Sequence, residues 1–144
     1  MSMPEELCFR RPLITFDVGS QAGDIAWAPY SSTTFAVVTM EGKVHVFDIS
    51  IDRYKAVCIQ AVVPKRKARL NHLAFNPTHP IILVGDSLGR IQSLKLSPNL
   101  RLLSREVRQA LLNKDTKKAG ELEIKKLDDI LAQLRDEHSL NNDD

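Results

Sequence analysis

The sequence predicts a mostly β protein: a partial β-propeller of about two incomplete blades, followed by an α-helical tail. The first observation is an internal repeat, because residues 24–63 and 70–97 share one order of strand-like segments and turns. Pro29 and Pro77 hold matching places 48 residues apart, and repeats of about 40–45 residues with strand content are typical of propeller blades. The second observation is a change at Pro98, where β-type alternation gives way to helical periodicity.

Matching positions in the two repeats lie at strand ends, at turns and where a side chain faces a blade interior. Trp27 matches Phe75, Pro29 matches Pro77 and Gly42 matches Gly89, while Phe47 matches Leu94; Asp48 in the first repeat and Asp86 in the second are further structural positions without an aspartate opposite them. Aromatic side chains dominate core packing, so we expect Trp27 and Phe75 to pack between blades, with stacking on a ligand as the alternative. The two prolines are expected to end strands, since proline lacks the N–H that a ladder needs.

The strands are expected in chain order, each rich in apolar or β-branched residues and bounded by turn residues. Their ranges are 12–18, 24–28, 34–40, 43–49, 55–63, 70–75, 81–85 and 90–96. Gly42 can adopt the positive φ that a tight hairpin turn requires. The second repeat ends after its third strand, so the blades are incomplete. Their open edges are expected to pair with other chains or to depend on a partner for the missing strands.

The tail, residues 99–144, is predicted to hold helices at 100–112 and 121–138, separated by a polar break at 114–120 and ending in a frayed terminus. In the second helix, apolar side chains recur every three or four residues and form one stripe. The stripe consists of Ile124, Leu127, Ile130, Leu131 and Leu134. Two interpretations stay open: the stripe packs on the chain's own blades, or it binds in a partner's groove.

Composition narrows the functional classes. The net charge is +2, from 20 basic and 18 acidic side chains, which is too small to indicate nucleic acid or an anionic membrane as a partner. No apolar run reaches the roughly 18 residues of a membrane span. The divergent segment 1–11 lacks the apolar core of a secretory signal. We therefore expect a cytoplasmic protein in which Cys8 and Cys58 are reduced thiols, a disulfide being the alternative.

Catalytic and metal sites are not indicated. Aspartates beside turns usually cap backbone groups, which is our interpretation of Asp24, Asp48 and Asp86 in preference to catalytic acids or metal ligands. The histidines show no metal-ligand spacing; they are His45, His72, His79 and His138. We expect no enzyme activity, no cofactor, no metal and no small-molecule substrate. An enzyme using Asp or His groups at a propeller mouth is the alternative.

A basic run follows Pro64 and consists of Lys65, Arg66, Lys67 and Arg69. One interpretation is a nuclear-import or nucleic-acid patch, although no aromatic residues are interleaved. A second is a solvated loop between blades. A third is contact with an acidic partner surface, which would make Lys65, Arg66 and Lys67 partner-binding residues.

A family resemblance follows from longer runs. VTMEGKVHVFD, residues 38–48, resembles the signature end of a WD-repeat blade, with Phe47-Asp48 in place of the tryptophan–aspartate pair. Residues 23–56, residues 79–101 with their SPNLR segment, and the helix containing EIKKLDDIL are similar to the C-terminal end of the axonemal outer-arm dynein intermediate chains, of the intermediate chain 1 type.

The resemblance implies a non-catalytic scaffold subunit in the cytoskeleton of the ciliary axoneme, contributing to motor assembly and ciliary motility. Its implied partners are the dynein heavy chain and a second intermediate chain. The family's light chains bind a long N-terminal region that this sequence lacks. The alternatives are a WD-repeat adaptor of another complex, such as cytoplasmic dynein or a dynein-assembly factor, and a truncated isoform without full function.

Overall fold

Two antiparallel sheets and a helical tail make up the part of the chain that the computed structural model describes, residues 12–63, 68–100, 103 and 105–140. The first sheet has the order β1-β2-β3-β4 and the second β5-β6-β7. The strands are β1 Ala22–Trp27, β2 Thr34–Thr39, β3 Lys43–Asp48, β4 Cys58–Ala61, β5 Leu70–Phe75, β6 Ile81–Asp86 and β7 Ile91–Lys95. A 3₁₀ turn, Pro98–Leu100, leads to α1, Arg105–Leu112, and α2, Thr116–Leu140. This architecture confirms the mostly β, partial-propeller prediction.

The first predicted strand, residues 12–18, is wrong. The segment joins neither sheet, although its alternating side chains Ile14, Phe16 and Val18 pack against the first sheet. Period-two alternation indicates that one side of an extended chain is buried. Segment 12–18 is buried in this way, but no strand pairs with it among the described residues. The other seven strands occur within a few residues of their predicted ranges, and β4 is the most shortened.

The tail differs from prediction in where its helices begin. Leu100 belongs to the 3₁₀ turn, Leu103 is not helical and α1 begins at Arg105, while residues 101, 102 and 104 lie outside the described residues. The polar break predicted at 114–120 is shorter, because Asp115 accepts a hydrogen bond from the Lys118 N–H at 3.0 Å and so caps the start of α2. Gly120 consequently lies inside α2. Neither helix within residues 105–140 is long and apolar enough to cross a membrane.

Each sheet has two faces, which the period of two keeps distinct. We call the side of the first sheet that carries Phe35, Val37, Phe47 and Ile49 the front face, and the opposite side the back face. Four side chains of the back face are almost fully buried: Ala36, Val38, Val44 and Val46. They pack against Leu73, Ile82, Val84 and Leu96 of the second sheet, so the main core lies between the sheets.

The first strands of the two sheets approach very closely. Gly23 faces the backbone of Leu70, and a Cβ atom built on Gly23 would lie 1.9 Å from the Leu70 carbonyl oxygen. Asp24 strengthens the same junction, because its carboxylate accepts a hydrogen bond from the Leu73 N–H at 2.9 Å. The inner strands β1 and β5 therefore meet as neighbouring blades do around a propeller axis.

The hairpin glycines behave as expected. Gly42 and Gly89 adopt φ of 82° and 84°, in the left-handed region where a Cβ is unfavourable. The repeat thus places a glycine in each blade where the second and third strands reverse direction.

Replacing His45 by glutamine is expected to flatten the pH dependence of stability between pH 7.5 and about 5.5. Burial, with a smaller contribution from Lys43, lowers the pKa of His45 from 6.5. The unfolded chain therefore takes up a proton at higher pH than the folded chain, so stability is complete above about pH 6.5 and is lost as the pH falls towards the lowered pKa. Denaturant unfolding at several pH values measures this slope. His79→Gln, at an exposed histidine, is the matched control, and equal slopes in the two variants would contradict the assignment.

Candidate interaction surface

An apolar groove lies between α2, the front face of the first sheet and residues 12–16. Its volume is about 660 Å³. The lining is almost wholly apolar and consists of Pro12, Leu13, Ile14, Phe16, Trp27, Phe35, Ile49, Leu127, Leu131 and Leu134. An exposed concave surface of this kind suits apolar side chains of a partner, so the groove is the candidate interaction surface.

Phe35 is the centre of the groove's aromatic floor. Its ring centroid lies 5.2 Å from that of Phe16, 5.4 Å from that of Trp27 and 5.0 Å from that of Phe47. The first two pairs are edge-to-face, a favoured geometry for aromatic rings. Cross-strand pairing fixes this arrangement, because Phe35 is opposite Trp27 on β1 and opposite Phe47 on β3. The floor is therefore held in place by the sheet.

Trp27 does not occupy the blade interior that the sequence indicated. It is 62% exposed, as is its neighbour on the same face, Ile25. Among the described residues, α2 and segment 12–18 cover the front face over β2 and β3 and leave its β1 side open. The repeat counterpart Phe75 is half-buried and packs against the inter-sheet core, with its ring 6.4 Å from that of Tyr30. The core expectation is thus wrong for Trp27 and fits Phe75 better.

The apolar stripe of α2 is turned mainly towards the chain's own first blade. Leu127 and Ile130 pack against the front-face cluster, Leu131 lines the groove, and Leu134 is only 5% exposed. Ile124 is 61% exposed and belongs to the free side of the helix. In the structure the stripe therefore packs on the chain's own first blade, and the groove beside α2 remains open.

Polar contacts fix α2 along the sheet. The Glu123 carboxylate accepts hydrogen bonds from the Ser32 N–H at 3.0 Å and hydroxyl at 2.9 Å, and Lys126 pairs with it at 3.2 Å. Near the other end of α2, Arg53 binds Glu137 at 2.6 Å and also donates to Gln133. These two anchor points set the position of the helix over the front face.

The repeat aspartates bind local backbone and side-chain donors. Asp48 accepts from the Thr33 hydroxyl at 2.8 Å and the Ser50 N–H at 3.0 Å. Burial alone would raise the pKa of Asp48, but the hydrogen bonds from Ser50 and Thr33 outweigh it and the pKa is lowered. In the second hairpin, the Arg90 N–H, followed by other donors, lowers the pKa of Asp86. Both carboxylates are engaged in turns, which is a structural arrangement.

The remaining predicted residues are the basic run, the two prolines and the possible metal ligands. Lys65, Arg66 and Lys67 lie outside the described residues, so their interpretation stays a prediction. Arg69 is exposed at the edge of that loop, and its N–H donates to the Ser87 hydroxyl at 3.2 Å. Pro29 and Pro77 each follow two residues after the end of a strand. Across the described parts of the chain, no three His, Cys, Asp or Glu side chains gather as a metal-binding group.

Sequence reasoning missed the residues that hold α2 in place. Ser32 and Glu123 are 91 positions apart, and the Arg53–Glu137 pair is separated by 84, so no local pattern connects them. The other omission is the exposed outer side of the second sheet, where Leu83 and Ile91 are 46% and 75% exposed. Alternation along β6 and β7 was the available signal, since it assigns these residues to the side opposite Ile82 and Val84.

Comparison with known proteins gives close relatives. The chain is 54% identical over 125 residues to the ciliary dynein intermediate chain 2 of Heliocidaris crassispina, covering 87% of this chain. It is 43% identical over 126 residues to the 78 kDa intermediate chain of the flagellar outer arm of Chlamydomonas reinhardtii, and 50% identical over 127 residues to the axonemal dynein intermediate chain 1 of Bos taurus, each covering 88% of this chain. No protein-family model matches.

The aligned parts are small shares of the relatives. The chain spans 17% of the length of the first two and 18% of the third. The aligned 125–127 residues are nevertheless 87–88% of this chain, and the identity is at least 43% in all three. The protein belongs to the axonemal dynein intermediate chains.

Proposed function

We propose that this chain is a non-catalytic scaffold module of an axonemal outer-arm dynein, located in the cytoskeleton of cilia. The observation that carries the proposal is the 54% identity with a ciliary dynein intermediate chain. The module binds the dynein heavy chain and lies beside a second intermediate chain, so that its contribution to motility is the positioning of motor subunits.

The apolar groove supports this role. Its floor is a rigid aromatic cluster, and Trp27 presents a large exposed ring at the rim. Aromatic residues of this kind are enriched among the residues that dominate protein–protein binding energies. A helix or an extended segment of the heavy chain with apolar side chains fits the groove, and α2 forms one wall of the complex.

The unpaired edge of β7 supplies a second point of attachment. In the first sheet β3 pairs with β4 through Lys43–Val46, whereas the corresponding side of β7 has no described strand beside it. An extended segment from a partner or from the remainder of a longer family member fits there by β-strand addition. Strand addition at this edge would complete the three-stranded second sheet and join it to a larger assembly.

Affinity capture from ciliated-cell extract tests the proposal. The tagged chain should retain axonemal dynein heavy chain and a partner intermediate chain, identified by mass spectrometry. Trp27→Asp should reduce the heavy-chain recovery at least fivefold, because it places a charge on the groove rim. Tyr54→Asp, at a side chain that is 77% exposed and outside the groove, is the matched control.

Recovery of chaperones without dynein subunits would oppose the scaffold role. Equal heavy-chain recovery with Trp27→Asp and Tyr54→Asp would retain the scaffold role but move the binding surface away from the groove.

A further inference from the structure

We propose that α2 is a displaceable cap on the front face of the first sheet, and that it prevents head-to-tail stacking with the second sheet of another copy of this chain. The inference does not depend on the dynein role. The internal repeat relates each face of the first sheet to a face of the second sheet, and the two sheets differ in which of these faces are covered.

The outer side of the second sheet carries the repeat counterparts of the first sheet's back face. Ala36, Val38, Val44 and Val46 form the buried back face of the first sheet. With the repeat offset of 47 residues between Gly42 and Gly89, their counterparts are Leu83, Gly85, Ile91 and Ser93. Leu83 and Ile91 are 46% and 75% exposed, so the second sheet presents, uncovered, the surface that the first sheet uses for stacking.

The front face of the first sheet is the second surface of the proposed stacking interface. Its residues Phe35, Val37, Phe47 and Ile49 are the repeat counterparts of Ile82, Val84, Leu94 and Leu96, which pack on the first sheet's back face. A stacking partner for this front face is therefore a back face such as that of the second sheet. Leu127 and Ile130 of α2, together with residues 14–18, occupy the place instead.

Stacking of this kind is heterologous, because different surfaces of the two copies meet, and it continues into rings or open filaments. Stacked-repeat proteins require terminal elements with a polar outer side to remain soluble. α2 fits that description: its inner stripe contacts the sheet, and its outer side carries Lys125, Asp128, Asp129 and other charged residues.

The attachment of α2 is suited to release. Its Arg53–Glu137 pair is solvent-exposed on the Glu137 side, and exposed ion pairs contribute little stability. Of the two polar anchors described above, the Ser32–Glu123 contact is the partly buried one. The groove along α2 also leaves Leu131 in contact with open space, so the helix does not seal the front face.

The experiment uses the full chain with Arg53→Ala and Glu123→Ala combined, which removes the guanidinium and carboxylate bonds of both anchors and leaves only the bond from the Ser32 hydroxyl to the Glu123 carbonyl oxygen among the described ones. Trp27 is the single tryptophan and lines the groove beside α2, so its emission reports release of the helix. We expect a red shift of that emission at low concentration and self-association at least tenfold stronger than in the parent chain by sedimentation velocity. Adding Ile91→Lys should return the self-association to the parent's level while the emission stays red-shifted, whereas Leu112→Lys, at an exposed residue of α1, should leave the association increased.

Three results would overturn the proposal. One is a red-shifted Trp27 emission without increased association. Another is association that Ile91→Lys fails to reverse, which would indicate unspecific aggregation. The third is unshifted emission both in the double variant and in Leu131→Lys, which would show that α2 is a fixed part of the fold.

Discussion

Replacing Gly23 by alanine is expected to lower the free energy of unfolding by about 3 kcal/mol, at the upper end of the usual cost of overpacking. The added Cβ would lie 1.9 Å from the Leu70 carbonyl oxygen and 3.2 Å from the Asn71 Cα. Both atoms belong to the backbone, so no side-chain rotation relieves the clash. β1 and β5 must separate, and the hydrogen bond from the Leu73 N–H to Asp24 lengthens with them.

Gly120→Ala is the matched control, because the Cβ it adds would meet no atom within 4 Å apart from the nearby backbone of its own helix. Gly120 is inside α2, where alanine is favoured over glycine by about 1 kcal/mol. The two substitutions should therefore change stability in opposite directions. Denaturant unfolding followed by far-ultraviolet circular dichroism measures both. A Gly23→Ala variant as stable as the parent would show that the two sheets are not held at this distance.

The β architecture was predictable because its signals are local. Hairpin glycines, strand-ending prolines and period-two alternation each depend on residues a few positions apart, and the repeat confirms them twice. The seven strands follow from these signals. Residues 12–18 show where alternation alone fails to predict a strand. Their alternation reflects burial, but the segment is buried against the face of a sheet and does not belong to a sheet.

The interaction surface was only partly predictable. The spacing of Leu127, Ile130 and Leu134 requires that α2 bury one side, but spacing does not identify what covers it. The choice is made by Ser32 and Arg53, whose partners are more than 80 residues away in the chain. Trp27 also shows that a local pattern does not identify the covering element. It is an aromatic residue in a core-like pattern, yet it is 62% exposed because no element of the described chain covers it.

Replacing Leu134 by aspartate is expected to lower the free energy of unfolding by about 3 kcal/mol or more. Leu134 is 5% exposed and is one of the residues that line the groove. The described residues that line the groove include no basic side chain, so burial of an unpaired charge is added to the loss of apolar contact. The helix is expected to detach from the sheet before the sheets unfold.

Ile124→Asp provides the comparison on the same helix. Ile124 belongs to the same sequence stripe but is 61% exposed, and substitutions at such positions usually change stability by less than about 0.5 kcal/mol. Unfolding curves of the two variants separate the interpretations of the stripe. If Leu134→Asp alone is destabilising, the stripe is a docking surface for the chain's own blade, and partners reach the groove rather than the helix. If both variants are equally mild, α2 is not held against the first sheet in solution, and the whole stripe is free to bind a partner.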